Sequence, residues 1–194
     1  SSIVDSPNQP MDIEISFENG NPVSIDGEFL EPVALIRKAN HLAGINGVGR
    51  IDIIENRVVG IKSREIYECP GLLLLIRAHQ EIESLTLSAD VLRLKIQLEQ
   101  KWSDLVYQGL WFSPLKNALD AFFDTTQSSV NGLVRIRLYK GNIIVLGRSS
   151  ERDSLYFPNM STYGKDDQFD HHSAKGFIYI WGLPSRLWSS LKKR

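Results

Sequence analysis

The sequence has a single cysteine, Cys69, in 194 residues. A lone cysteine excludes an internal disulfide framework and any cysteine-rich zinc site, and it suits a reducing compartment. Long apolar runs are also missing. No run exceeds the five residues of Leu72–Ile76, far short of the roughly 20 needed to cross a bilayer. Nor is there an excess of one charge: 22 Lys and Arg stand against 23 Asp and Glu, for a net charge of −1. That balance speaks against broad electrostatic capture by nucleic acid or an anionic membrane. The chain has no internal repeat and no low-complexity tract. Its opening, SSIVDSPNQP, lacks an initiating Met and has none of the features of a signal or transit peptide. It reads as a polar, Pro-containing linker over residues 1–10, with Ser1 as the cut end of something longer.

What remains is the profile of a soluble globular domain. Hydrophobic residues make up 42% and charged residues 23%, and the length is ample for a sizeable core. Period-two alternation of Ile13, Ile15 and Phe17 predicts a half-buried strand, with Asn19-Gly20 as the turn and Val23–Ile25 as the returning partner. Pro32 opens a helix on which Ile36, Ala39 and Ala43 share a face and Gly44 is the stop. Ile53 to Ile66 reads as strand, turn and strand. Pro70 starts a second helix, and Leu72–Ile76 predicts that it is deeply buried. Ser88 is a good N-cap for a third helix, with Val91, Leu94, Leu98, Trp102 and Leu105 on one buried face. After Gly109 and Pro114 comes a shorter helix around Leu115–Phe123.

A second hairpin follows: Val134–Leu138, a turn at Lys140-Gly141-Asn142, and Ile143–Leu146. The stretch from Ser149 to Lys175 reads as loop with short ordered pieces. FIYIW (Phe177–Trp181) reads as a strand. Pro184 opens a last helix, with Leu187, Trp188 and Leu191 on one side and Lys192, Lys193 and Arg194 at its end, where basic residues suit the helix dipole. This order predicts an α+β fold: a hairpin-built mixed or antiparallel sheet with packed helices and a C-terminal helical arm.

Most candidate motifs have an ordinary structural explanation. Gly44–Gly49 (GINGVG) has the wrong spacing for a dinucleotide loop and precedes a strand instead of following one, so it reads as a helix stop and flexible turn. Asp170-His171-His172 invites a metal reading, but adjacent histidines on a strand point to opposite faces and no second cluster supports them. His41 and His79 read as packed, hydrogen-bonded helix residues. Trp188 and Leu191 on the terminal helix need a surface to cover, either this subunit's or another's.

The stretch IENRVVGIKSREIYECPG is harder to explain, because it sets Glu55, Arg57, Lys62, Arg64 and Glu65 among β-forming residues. Arg57, Arg64 and Glu65 fit the wet side of a hairpin. Glu55, by strict alternation, shares a face with Ile53. A buried carboxylate is costly unless it is paired or hydrogen-bonded. Arg50 or Arg57 would serve as such a partner. So would a cationic group on a ligand, such as an α-ammonium, with the Tyr67 hydroxyl brought to the same place from the return strand.

GVGRIDIIENRVVGIKSREIYECPG resembles the signature segment of argininosuccinate synthases, from the G-x-G-R-x-D-x-x-E-N-R core to the K-S-R-x-x-Y-E that follows. ESLTL, LVYQGLWFSPLKNALDAF, VRIRLYKGN, GRSS with DSLY, and FDHHSAKGFIYIWGLP fall in the family's order, so the resemblance runs from about Met11 to the end. FIYIWGLP and LWFSPL are most similar to bacterial and cyanobacterial-type members. The resemblance implies a ligase of arginine biosynthesis. It joins citrulline to aspartate and cleaves ATP to AMP and pyrophosphate through a citrullyl-adenylate. The family has an N-terminal nucleotide-binding domain with an S-G-G-x-D-T-S loop, absent from these 194 residues, and a C-terminal synthetase and multimerisation domain. Only the second resembles this chain.

By the resemblance, ATP with Mg2+ is a co-substrate held mainly by the other domain. Residues 11–183 form the catalytic and multimerisation domain, residues 184–194 an oligomerisation helix, and the assembly is a homotetramer. Glu55 and Tyr67 carry the family's citrulline contacts, the carboxylate meeting the α-ammonium and the hydroxyl adding a directional hydrogen bond. No catalytic acid or base and no metal ligand is implied in this chain, and the chain alone is expected to be inactive. Neither nucleic acid nor membrane is implied as a partner. The expected compartment is the bacterial cytoplasm, or a plastid in a photosynthetic eukaryote. Two positions depart from the family pattern: Glu65 stands where many members have glycine, and Cys69 where threonine is common. The rival expectation is a non-catalytic oligomerisation module that keeps the fold.

Overall fold

In the computed structural model, residues 2–160, 162 and 164–192 are described. Ser1, Lys193 and Arg194, singled out above, lie outside the described residues. The chain divides into two compact units, residues 1–155 and 156–194.

The first unit is built on a five-stranded sheet. The strands are β1 (Met11–Glu18), β2 (Asn21–Ile25), β3 (Glu28–Phe29), β6 (Gly132–Tyr139) and β7 (Asn142–Ser149), in the order β3-β2-β1-β6-β7. Every pairing is antiparallel, which decides between the mixed and antiparallel sheets left open above. The tight turns explain this economy. Asn19-Gly20, Asp26-Gly27 and Lys140-Gly141 all take positive φ at both residues, the twist that lets two strands return in register. Register then places Ile13 opposite Ile136, Ile15 opposite Val134 and Met11 opposite Leu138.

The apolar face of this sheet is covered by α1 (Pro32–Ile45) and α2 (Pro70–Thr86). Ile13, Ile15, Phe17, Ile25, Val134, Ile136 and Leu138 are buried against Leu35, Ala39 and Ala43 of α1 and Leu74, Leu75, Ala78 and Ile82 of α2. The small residues Ala39 and Ala43 let the two helices approach closely. At Gly71 a Cβ would lie 2.7 Å from Asn40 Oδ1, which accepts the Gly71 N–H at 2.8 Å.

On α1 the buried position is Leu35, and Ile36 is exposed. The helix passes Gly44 and ends at Ile45, with Asn46 as C-cap and Gly47 at positive φ. Leu72 and Ile76 are exposed, because the sheet covers only one side of α2.

Ser88 caps α3 (Ala89–Tyr107), accepting the Val91 N–H, and Ser113 caps α4 (Pro114–Gln127), accepting the Lys116 N–H. The expected face of α3 is only partly realised: Leu105 is buried, Leu94 is exposed, and Lys95 is buried. Lys95 is admitted because it bridges Glu83 of α2, at 2.9 Å, and Glu99, and a buried charge needs such partners. His79 is packed as expected. Its Nε2 lies 2.7 Å from Gln127 Oε1 and its ring rests near Phe17. His41, by contrast, is exposed on α1.

In the second unit, FIYIW is not a strand. It is the C-terminal half of α5 (His171–Trp181), followed after Gly182 by α6 (Leu183–Leu191). Asp170 caps α5, accepting the His172 N–H at 3.0 Å and the Ser173 hydroxyl at 2.5 Å. That cap nucleates a helix through a run whose aromatic and β-branched content favours strand. No residue of α5 or α6 is buried, and Trp181 is 76% exposed. No helix among the described residues is long and apolar enough to cross a membrane.

Candidate functional site

Between α1 and α2 the chain leaves the core and forms a separate hairpin, β4 (Arg50–Asn56) with β5 (Lys62–Glu68). Its base is fixed tightly. Gly49 takes φ +125°, and a Cβ there would lie 2.6 Å from Pro70 Cα, so only glycine lets the outgoing strand pass the start of α2. The Cys69 N–H donates to the Gly49 carbonyl at 2.8 Å and closes the neck. The tip turns between Arg57 and Ile61, where the Arg57 N–H donates to the Ile61 carbonyl at 2.8 Å.

The register places Ile51 opposite Tyr67, Ile53 opposite Glu65 and Glu55 opposite Ser63. Period-two alternation therefore gathers these six on one face, with Arg57 beyond Glu55. The other face carries Asp52 with Arg64, paired at 2.5 Å, and Arg50 with Glu68, at 3.2 Å. Arg64 holds the Asp52 carboxyl below the usual carboxylate range. Arg50 thus pairs on the face opposite Glu55.

The structure brings Glu55 and Tyr67 together. The Tyr67 hydroxyl donates to Glu55 Oε1 at 2.5 Å. Tyr67 lies four positions along the strand from Ser63, the residue opposite Glu55, about 13 Å, and the two long side chains span it. The hydrogen bond to Glu55, followed by partial burial and the charges of Glu55 and Glu65, pushes the Tyr67 phenol above its ordinary value. Tyr67 is therefore a hydrogen-bond donor throughout the neutral range. The Glu55 side chain is 21% exposed and Tyr67 is 42% exposed, so both can be reached from solvent.

Around this pair is a shell that the sequence did not reveal as one. The Arg57 Nε donates to Ser63 Oγ at 2.7 Å, its Nη2 is paired with Glu65, and its Nη1 stands 3.6 Å from Glu55 Oε2. Tyr107, at the end of α3, together with Glu65 raises the Arg57 guanidinium above its ordinary value. Glu65 carried the only available signal, its same-face parity with Glu55. Tyr107 comes from a distant element and carried none. The apolar residues of this stretch, Ile53, Ile54, Val58, Val59, Ile61 and Ile66, are all exposed. The hairpin reaches out beyond the sheet and helices that form the core.

The other candidates resolve otherwise. His171 and His172 lie in the first turn of α5, not on a strand, and His171 is paired with Asp167 at 2.5 Å. No group of three or more His, Cys, Asp or Glu among the described residues is placed to hold a metal ion. The glycine-rich turn is filled by its neighbours: a Cβ on Gly47 would meet Ile3, as one on Gly49 would meet Pro70. These residues do not fit a site for a nucleotide or Mg2+.

An antiparallel sheet backed by helices, carrying a hairpin with a solvent-accessible carboxylate–phenol pair, defines an α+β domain. The chain belongs to the family described as "Arginosuccinate synthase C-terminal domain", whose model matches residues 1–188. It is 69% identical over 193 residues to the argininosuccinate synthase of Synechococcus sp. (strain WH7803), covering 100% of this chain and 48% of that protein. It is 70% identical over 193 residues to the argininosuccinate synthase of Prochlorococcus marinus (strain MIT 9313), again with 100% of this chain and 48% of that protein covered. The chain thus spans about half the length of these relatives.

Proposed function

We propose that this chain is the part of an argininosuccinate synthase that holds the amino-acid end of citrulline and supplies subunit contacts. The observation that carries this reading is the 2.5 Å hydrogen bond from Tyr67 to Glu55 on the accessible face of the hairpin. Among the described residues, the second oxygen of the Glu55 carboxylate faces only the distant Arg57 Nη1. An α-ammonium entering there gains a charge-assisted hydrogen bond. The Tyr67 hydroxyl, held protonated by Glu55, is free to swing to the substrate and give it a direction. Neither group gives up or takes a proton in the reaction. Their contribution is orientation, which counts heavily when citrulline, aspartate and ATP must meet. ATP, with Mg2+, is a co-substrate of the complete enzyme, held mainly by its other domain.

In this reading the apolar side chains of α5 and α6 are offered to neighbouring subunits of a homotetramer. Their exposure, with no residue of either helix buried, supports that role. The same exposure would serve a non-catalytic oligomerisation module, but the retained Glu55–Tyr67 pair favours the enzyme. The test is Glu55→Gln in a complete synthase carrying this domain. Losing a charge-assisted hydrogen bond raises the citrulline KM roughly 10- to 100-fold while the ATP KM stays within about twofold. Unchanged citrulline kinetics would remove Glu55 from the site.

A further inference from the structure

We propose that Glu65 is a positioning residue for the substrate site: it takes up the charge of Arg57 and holds that guanidinium off Glu55, leaving the Glu55 carboxylate available to a cationic ligand group. This rests on the reading of Glu55 given above and extends it to the ligand's recognition.

Three ionic groups share the accessible face of the hairpin, two carboxylates and one guanidinium. Arg57 lies within reach of both carboxylates, yet its contacts are unequal. Its Nη2 pairs closely with Glu65, whereas its Nη1 approaches Glu55 only to 3.6 Å, beyond hydrogen-bond distance. Its Nε points away from Glu55, donating to Ser63 Oγ at 2.7 Å. A guanidinium is a planar fork that prefers two-point contact with a carboxylate. Unconstrained, Arg57 would dock on Glu55, two residues along the same strand face, and compete directly with an incoming ammonium. Glu65 prevents this in two ways. Its position opposite Ile53 draws the guanidinium across the strand pair, and its charge cancels that of Arg57. The net charge left on the face is that of Glu55. The Ser63 contact then keeps Arg57 from swinging back.

The experiment uses a complete synthase in which this domain is joined to the matching other half of the Synechococcus sp. (strain WH7803) protein, and reads the citrulline KM, ATP KM and kcat. Glu65→Ala frees Arg57, and the citrulline KM rises about three- to fivefold, the size of a partly exposed charge pair. The ATP KM and kcat hold. Adding Arg57→Gln to Glu65→Ala removes the competitor, and the citrulline KM returns to within about twofold of the parent. If Glu65 and Arg57 merely braced the hairpin, the double variant would instead be worse than Glu65→Ala alone. That result overturns the proposal, as does an unchanged citrulline KM in Glu65→Ala. Glu55→Gln is measured alongside. A raised KM there with no response at Glu65 defeats this inference alone, whereas no response at Glu55 defeats the reading beneath it.

Discussion

Strands β1 and β4 carry the same kind of sequence and meet different fates. Both alternate apolar and charged residues, Ile13, Ile15 and Phe17 in one, Ile51, Ile53 and Glu55 in the other. In β1 the apolar face is sealed by α1 and α2, and Ile15 is wholly buried. In β4 no residue is buried, and across the loop Val59 is 80% exposed. The difference teaches that alternation fixes which side chains share a face, and that only the packing of distant elements decides whether that face is core or surface. In β1 the shared face yields stability. In the β4–β5 hairpin it yields an arrangement of polar groups: Tyr67 on Glu55, Arg57 on Glu65 and Ser63.

Substitutions can break or sharpen this contrast. The largest loss is expected in the core. Ile136→Ala removes a fully buried side chain between β1 and β7 and should cost about 2–5 kcal/mol in denaturant unfolding. Next comes the polar joint between α2 and α3. Lys95→Ala leaves Glu83, only 6% exposed, without its cation and should cost about 3 kcal/mol. A loss under about 1 kcal/mol would show that solvent reaches Glu83 readily. In the hairpin, Ile54→Ala or Val58→Ala should change unfolding by no more than about 0.5 kcal/mol. A core-sized loss there would mean that the hairpin packs like β1.

The smallest effect is with pH. Hydrogen bonds from Arg137 and Arg64, and from Lys116 with Trp102, hold Asp12, Asp52 and Asp120 below the usual carboxylate value. A depressed folded pKa gives stability that is present above the unfolded value, about 3.9 for Asp, and lost as pH falls through the folded one. Melting temperature should therefore be flat near neutrality and decline below about pH 4. Because these pairs are exposed, the decline is shallow and weakens further in high salt.

The contrast also marks how far the sequence could be read. The sheet hairpins were legible because Asn19-Gly20 and Lys140-Gly141 are strong turn signals and the strands between them alternate strictly. Glu55 and Tyr67 were legible through their place in a long family signature, and parity placed them on one face. The orientation of Arg57 was not, because it depends on which of Glu55 and Glu65 the folded hairpin brings closer to the guanidinium. FIYIW was misread because five apolar residues are too few to separate strand from helix periods. The arbiter was the cap at Asp170 with Ser173 three residues on. Lys95 was unexpected because a helix face is judged by apolar spacing, and its burial depends on Glu83 from another helix.

The central claim is that Glu55 recognises the α-ammonium of citrulline. It is tested most directly by equilibrium binding of citrulline and of its des-amino analogue to a complete synthase carrying this domain, before and after Glu55→Gln. The parent should prefer citrulline by roughly 10- to 100-fold, and Glu55→Gln should remove most of that preference. A preference that survives the substitution unchanged would contradict the account.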